Sequence, residues 1–154
     1  MAKRRKATRH YKITQSYFRE LLAIKRKIWA YEEEIEEQST LLKAIGYEGA
    51  SSSRTVDVVG NTVSEILKTK ENLETEVLRY NTIIEESLEV LGHISDSPAY
   101  TILHLRYFGG MKFKDIPEAM IKSDLGYIGE DYMYELHRDA MYKLYRFLPR
   151  EHKQ

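Results

Sequence analysis

The sequence predicts an all-α fold: a long, coiled-coil-like antiparallel helical hairpin followed by a C-terminal helix-turn-helix module of three short helices. Two observations predict the hairpin, because apolar residues recur at heptad spacing along two segments and a polar stretch separates them. A third observation predicts the module, because two short apolar segments meet at Gly109 and Gly110. The 154 residues include only eight glycines and three prolines, which favours helices throughout.

The first long helix is indicated by a heptad pattern that begins at Tyr17 and ends at Ile45. One position of this seam is occupied by Leu21, Ile28, Ile35 and Leu42, and the other by Tyr17, Ile24, Tyr31, Gln38 and Ile45. Basic residues at 25–27 and acidic residues at 32–34 flank the seam, as on the solvated sides of a coiled coil. A helix with such a seam needs a partner.

A second heptad seam predicts the returning helix of the hairpin, which covers residues 13–95 as a whole. The seam residues are Val63, Ile66, Lys70, Leu73, Val77, Tyr80, Ile84, Ser87, Leu91 and Ile94. Residues 46–61, GYEGASSSRTVDVVGN, lack helical periodicity and are predicted to form the polar loop where the chain reverses.

The hairpin is also predicted to be an oligomerisation region. Two helices alone bury little apolar surface, so either a partner chain or the C-terminal part of this chain is expected to cover the rest. We therefore expect a homo-oligomer. Polar residues interrupt the seam at Gln38, Lys70 and Ser87, and they have two interpretations. They either fix the register or the number of partners, or they are simply exposed.

The C-terminal module is predicted to cover residues 96–150. Ser97 suits a helix N-cap and Pro98 the first helical turn, and Gly109-Gly110 permits the left-handed backbone that closes this helix. A second helix is expected to begin near 112–115, and a third follows the turn after it. In the third helix the inward side chains are Met133, Leu136, His137, Ala140, Leu144 and Phe147, and the outward ones are Asp131, Glu135, Arg138 and Tyr142.

Charge is segregated along the chain although its net value is zero. Residues 1–12 hold six Lys or Arg and no acidic residue, residues 13–98 hold nine basic and sixteen acidic residues, and residues 99–154 hold nine and eight. Residues 1–12 are predicted to be a basic flexible tail that contacts phosphates as a disordered arm. The alternative is a solubilising tail.

Several classes of protein are excluded or disfavoured by the composition. Without cysteine there are no disulfides, thiolate metal sites or thiol nucleophiles. The five histidines show no ligand spacing, and no phosphate-binding or nucleophile motif occurs, so we expect no enzyme, no cofactor and no metal. No apolar run approaches the roughly 18 to 20 residues of a membrane helix, which favours a cytoplasmic protein without a membrane partner.

Two stretches of the C-terminal module carry a resemblance to known families. LHLRYFGGMKFKDIPEAM (residues 103–120) and YELHRDAMYKL (residues 134–144) resemble the C-terminal promoter-reading module of bacterial sigma factors. The sequence is also similar to small phage proteins of the ArpU and RinA type, late-gene transcription regulators of phages and prophages of Gram-positive bacteria. At the level of motifs the resemblance covers residues 98–148.

The resemblance implies a sequence-specific, DNA-binding transcription regulator of phage or prophage late genes, with activation favoured. Its expected partner is double-stranded DNA in the cytoplasm of the bacterial host, and RNA polymerase is a further expected contact. The resemblance places Lys112 and Lys114 toward phosphates, and Tyr134, Glu135 and Arg138 toward the major groove.

Further DNA contacts are expected around this helix and in the tail. Tyr132 and Tyr142 lie near the same face, as DNA contacts or as contacts between helices or subunits. The cations of the tail assigned to DNA are Lys3, Arg4, Arg5, Lys6 and Arg9. Arg106 has two interpretations, an ion pair with Asp115 or Glu118 and a phosphate contact.

The sequence departs from the sigma-like pattern in three places. The turn IKSDLGYIGED is several residues longer than usual, Pro117 replaces an alanine, and Glu130, Asp131 and Glu135 make the start of the third helix acidic. Two alternative functions follow. One is a small terminase-like subunit that recognises DNA for packaging, and the other is a helical interaction module that binds RNA polymerase without DNA.

Overall fold

The computed structural model describes residues 2–47, 53–122, 126 and 128–153, except for the side chains of 2–7, 46–47 and 53–56. The fold is all-α, as predicted. The described residues form five α-helices: α1 (Ala2–Tyr47), α2 (Ser53–Gly92), α3 (Pro98–Leu103), α4 (Ile116–Lys122) and α5 (Glu130–Leu144). A π-helical turn (His104–Phe108) and a 3-10 turn (Phe113–Asp115) lie between α3 and α4. None of the helices within these ranges has the length and apolar character needed to span a bilayer.

The chain divides into two compact units whose boundaries differ from the predicted ones. The first unit contains residues 1–23 and 82–154, and the second contains residues 24–81. The predicted module 96–150 is therefore only part of a larger unit. The physical reason is that Phe18 and Leu21 of α1 and Leu91 of α2 are fully buried there.

The tail predicted to be flexible over residues 1–12 belongs to a helix, because α1 begins at Ala2. Lys and Arg are good helix formers, and the segment contains neither glycine nor proline. His10 and Tyr11 also have aromatic partners in the C-terminal part of the chain. Packing of this kind stabilises the start of α1, which as an isolated helix rich in positive charges would be only marginally stable.

The polar loop is shorter than predicted. Residues 46–47 belong to α1 and residues 53–61 to α2, whereas residues 48–52 lie outside the described part of the chain. The glycine and serine that indicated a loop are concentrated at 49–53. Gly60 is the only glycine between Ser53 and Asn61, and one helical glycine costs about 1 kcal/mol relative to alanine.

Within the second unit, α1 follows the predicted seam, whereas α2 follows it only in part. Ile24 and Ile28 are buried, and the later α1 seam residues are half-buried. On α2, Val63 and Lys70 are exposed while Thr62, Ile66 and Thr69 are buried. Each of these threonines donates its hydroxyl hydrogen to the carbonyl oxygen four residues earlier, at 2.8 and 2.9 Å, so burial leaves no hydroxyl unpaired.

The first unit has a continuous apolar core in which α3 packs against α5. Its largest fully buried side chains are Phe18, Leu21, Leu91, Ile102, Leu103, Tyr107, Ile116, Met120, Met133, Met141 and Leu144. The seam residue Ser87 is buried here, and its Oγ lies 3.2 Å from the Tyr17 hydroxyl. Tyr17 also donates to Glu86 Oε1 at 2.8 Å, which joins α1 to the end of α2.

Candidate nucleic-acid interface

The corner between α3 and α4 is built by its caps and its two glycines. Ser97 Oγ accepts a hydrogen bond from the Ala99 N–H at 3.1 Å, and Pro98 occupies the first turn, as predicted. Gly110 has φ 71°, which only glycine adopts without strain. A Cβ at Gly109 would lie 2.7 Å from the carbonyl oxygen of Leu105. The backbone therefore turns at this point with no space for a side chain at Gly109.

A buried polar pair connects this corner to α5. The Tyr107 hydroxyl and His137 Nε2 are 2.7 Å apart, and both side chains are almost fully buried. Burial lowers the pKa of His137 to about 4, and the positive charges of Arg106 and Arg19 add to the effect. A neutral imidazole can accept the hydroxyl hydrogen of Tyr107, whose own pKa is raised by burial. The pair fixes which face of α5 turns inward.

The opposite face of α5 is exposed, and it holds the residues that the sequence assigned to DNA. Met133, His137, Ala140 and Leu144 are buried, as the helical periodicity predicts. The exposed residues of this face are Asp131, Tyr132, Tyr134, Glu135, Arg138 and Tyr142. Tyr132 is 53% and Tyr134 44% exposed, so both rings are accessible to a ligand, one on each flank of this face.

One end of this face adjoins the 3-10 turn that precedes α4. The ring centroids of Phe113 and Tyr134 are 5.4 Å apart, and Phe113 also meets the ring of His137 edge-on at 5.1 Å. Lys112 and Lys114 flank Phe113 in the chain and are both exposed. The two lysines therefore lie beside the N-terminal half of α5.

Arg106 contacts the same turn from the corner. Its Nη1 donates a hydrogen bond to the Met111 carbonyl oxygen at 3.0 Å. Its guanidinium lies 4.4 Å from the centroid of the Phe113 ring, within the range of a cation–π interaction. These contacts orient Phe113, and through it the lysines on either side.

The other end of the exposed face adjoins the beginning of α1. The ring centroid of Tyr11 lies 5.8 Å from that of Tyr142 and 6.4 Å from that of His137. His10 stacks on Tyr145, with centroids 3.7 Å apart and an interplanar angle of 8°. Arg9 and Lys12 are exposed next to these contacts. The side chains of Lys3, Arg4, Arg5 and Lys6 lie outside the described residues.

Tyr134, Arg138 and Tyr142 follow each other at intervals of four and so form one row along α5, which we call the α5 row. Phe113 contacts its first member and Tyr11 its last, with Arg138 between them. Cations from the turn before α4 and from α1 thus lie at the two ends of the row. The acidic residues of α5 that face solvent are Glu130, Asp131, Glu135 and Asp139.

The arrangement suits a polyanion whose charged groups alternate with hydrogen-bonding groups, as the phosphates and base edges of a nucleic acid do. Lysine and arginine attract phosphates, tyrosine hydroxyls can donate to phosphate oxygens, and Arg138 and Glu135 can pair with base edges. Sequence reasoning missed the docking residues His10 and Tyr11 and the cation Arg19. A usable signal existed for Arg19, because no acidic residue occurs among the first nineteen residues.

Among the residues that the structure describes, no group of three or more His, Asp and Glu side chains is placed to hold a metal ion. Comparisons with protein-family profiles, with curated proteins and with solved structures found no match to this chain.

Proposed function

We propose that this chain is a sequence-specific DNA-binding transcription regulator of the phage late-gene type. The observation that supports it best is the α5 row, an exposed face of the last helix of a trihelical module with cationic segments docked at both ends. In a helix-turn-helix protein the last helix enters the major groove, and the preceding helix contacts the backbone at its start. Lys112 and Lys114 lie at the 3-10 turn that immediately precedes α4.

Within this proposal the contacts divide into two kinds. Lys112, Lys114 and Arg9 bind phosphates and set the position of the protein on the duplex. Arg138 donates to guanine, and Glu135 accepts from the amino group of cytosine. The acidic residues of α5 lower the affinity of each module, so the cations of neighbouring segments supply most of the attraction to DNA.

The hairpin is proposed to join copies of the chain into a homo-oligomer. Within the second unit the seam residues Tyr31, Ile35 and Leu73 remain half-buried, and Leu67 and Leu78 are 58% and 62% exposed. Pairing with another hairpin would remove this apolar surface from water. Several reading modules in one particle would raise the avidity for DNA through effective concentration.

A second candidate function is supported by the acidic residues of α5. Glu130, Asp131, Glu135 and Asp139 are exposed beside Tyr132, and this combination suits a basic protein surface. In that case the module binds RNA polymerase or another protein and no DNA.

The proposal is tested by selecting fragments of the source genome that the purified protein retains at about 0.15 M salt. Recovery of one intergenic site would support a regulator and reveal its target. Weak, unselective recovery together with retention of polymerase from lysate would instead support the second candidate. Molecular mass measured in the same buffer gives the oligomeric state, and a ring would favour a packaging subunit.

The groove assignment is tested with the double variant Glu135→Ala/Arg138→Ala. We expect a reduced difference in affinity between the selected site and a scrambled duplex, since each good base contact contributes about 1–3 kcal/mol of discrimination. Lys143→Ala is the matched control, because Lys143 is an exposed cation of α5 outside the α5 row. Unchanged discrimination in the double variant would contradict the assignment.

A further inference from the structure

The first part of α1 has two different faces within the first unit. One face docks on the rest of the unit: His10 on Tyr145, Tyr11 on Tyr142, and Phe18 on Tyr107, with ring centroids 3.7, 5.8 and 5.5 Å apart. The other face is exposed and carries Arg9, Lys12 and Arg19. Aromatic packing therefore holds a series of cations in place along this helix.

The spacing of the cations puts them on one side of α1. Lys12 and Arg19 are seven residues apart, two helical turns, and the sequence has Arg5 seven residues before Lys12. The first nineteen residues contain seven Lys or Arg and no Asp or Glu. Seven residues of helix rise by about 10 Å, close to the axial rise of three phosphates along one DNA strand.

Lys12 and Arg19 each follow an aromatic residue that docks α1 on the rest of the first unit. Lys12 follows Tyr11, which contacts Tyr142 at the end of the row. Arg19 follows Phe18, whose ring contacts Tyr107, and its positive charge contributes to the lowered pKa of His137. This part of α1 is thus fixed on α5 directly, by Tyr11 on Tyr142, and indirectly, by Phe18 on Tyr107, whose hydroxyl is hydrogen-bonded to His137 of α5.

We propose that α1 is a second DNA-contacting helix, in which Lys12 and Arg19 bind phosphates of the duplex whose groove α5 reads. His10 and Tyr11 are positioning residues, because they hold this helix against α5. The inference rests on the proposed function and adds a rigid phosphate clamp to it. A docked helix presents its cations already in place, whereas a flexible arm would lose conformational freedom on binding.

The phosphate contacts are tested with the double variant Lys12→Gln/Arg19→Gln on a duplex of mixed sequence. The logarithm of affinity falls linearly with the logarithm of salt concentration, with a slope of about 0.9 for each phosphate neutralised. We expect the double variant to lower this slope by about two and to weaken binding to all sequences alike. Lys143→Gln is the control that should leave the slope nearly unchanged.

The positioning role is tested without DNA. The chain has no cysteine, so Thr8→Cys and Asp139→Cys, at two exposed positions, allow a pair of spin labels to be attached specifically. We expect one narrow distance distribution, which broadens in the double variant His10→Ala/Tyr11→Ala and narrows again when His10→Phe/Tyr11→Phe restores the ring contacts. A broad distribution in the protein without these substitutions would overturn the docking.

DNA binding by the same variants completes the test. His10→Ala/Tyr11→Ala keeps every cation but should weaken binding by about tenfold, because ordering the loosened helix costs conformational freedom, and His10→Phe/Tyr11→Phe should recover it. If Glu135→Ala/Arg138→Ala alters sequence preference while Lys12→Gln/Arg19→Gln leaves the salt slope intact, the clamp is wrong and the proposed function stands. If no duplex binds, both are wrong, although the spin labels would still report the docking.

Discussion

The burial of His137, whose ring is hydrogen-bonded to Tyr107, makes the stability of the first unit depend on pH. Folding lowers the pKa of His137 from 6.5 to about 4, so the unfolded chain binds one more proton than the folded one between these values. The contribution of neutral His137 to the free energy of unfolding is therefore fully present above pH 6.5 and is lost progressively as the pH falls toward 4. The expected loss is about 3 kcal/mol, since one pKa unit corresponds to about 1.4 kcal/mol.

This prediction is checked by urea unfolding across that range and by nuclear magnetic resonance of the imidazole signals. The His137 ring should stay neutral to about pH 4. His104→Gln is the control, since His104 belongs to the same corner but is exposed; it should leave the pH dependence unchanged. A His137 ring that titrates near 6.5 in the folded protein would contradict the burial argument.

Glycine is required at position 109 because a side chain would collide with the backbone, and not because the backbone dihedral angles there demand it. Its φ of −88° is accessible to any residue, but a Cβ would lie 2.7 Å from the backbone oxygen of Leu105. Gly109→Ala should therefore destabilise the protein by about 1–3 kcal/mol, as overpacking does. Gly60→Ala is the matched control in thermal unfolding: nothing lies within 4 Å of its added Cβ, and in a helix it should stabilise by up to about 1 kcal/mol. A neutral Gly109→Ala variant would contradict the corner geometry.

At the scale of elements, α2 departs from the predicted heptad seam at Val63 and Lys70, which are exposed. Ile66 is 7% exposed and Val63 is 41% exposed, although both belong to the predicted seam. Ile66→Ala should cost about 2–4 kcal/mol in unfolding free energy, whereas Val63→Ala should change it by about 0.5 kcal/mol or less. Equal losses in the two variants would restore the predicted seam.

The sequence allowed the short helices to be placed more accurately than the long ones. Ser97, Pro98 and the two glycines are local signals, and the period of α5 separates Met133 and Ala140 from Arg138 within one helix. On α2 the heptad pattern placed Val63 and Lys70 in the seam and left out their neighbours Thr62 and Thr69. A threonine can be buried when its hydroxyl donates to the backbone of its own helix, as both of these do, and a pattern of apolar residues does not register this. The serines and glycine around residue 50 likewise led to a predicted loop, 46–61, that was too long at both ends.

The candidate site divides in the same way. The exposed face of α5 follows from its own periodicity, so Glu135, Arg138 and Tyr142 could be assigned to it from the sequence. The docking of Tyr11 on Tyr142 joins residues more than a hundred positions apart, and no periodicity within α1 reports such a contact. For this reason the tail was expected to be flexible.

At the scale of the whole molecule, the three-helix module completes its core with side chains from distant parts of the chain. Phe18 is fully buried, and its ring contacts both Tyr17 and Tyr107. Leu91, from the end of α2, is also fully buried in the same unit. Residues 96–150 without α1 would expose this apolar surface to water, which opposes independent folding.

We therefore expect a fragment of residues 96–154 to show no cooperative thermal transition and no protection from proteolysis. In the full chain, Phe18→Ala should cost about 3–5 kcal/mol, because it opens a cavity beside Tyr107. Trp29→Ala is the control, since Trp29 is 41% exposed on the same helix and lies in the second unit. A fragment that unfolds cooperatively, or a Phe18→Ala variant as stable as the control, would restore the predicted boundary at residue 96. If both expectations hold, any change that loosens α1 will also loosen the helix that presents Arg138, so the proposed DNA binding and the folding of α1 should be lost together.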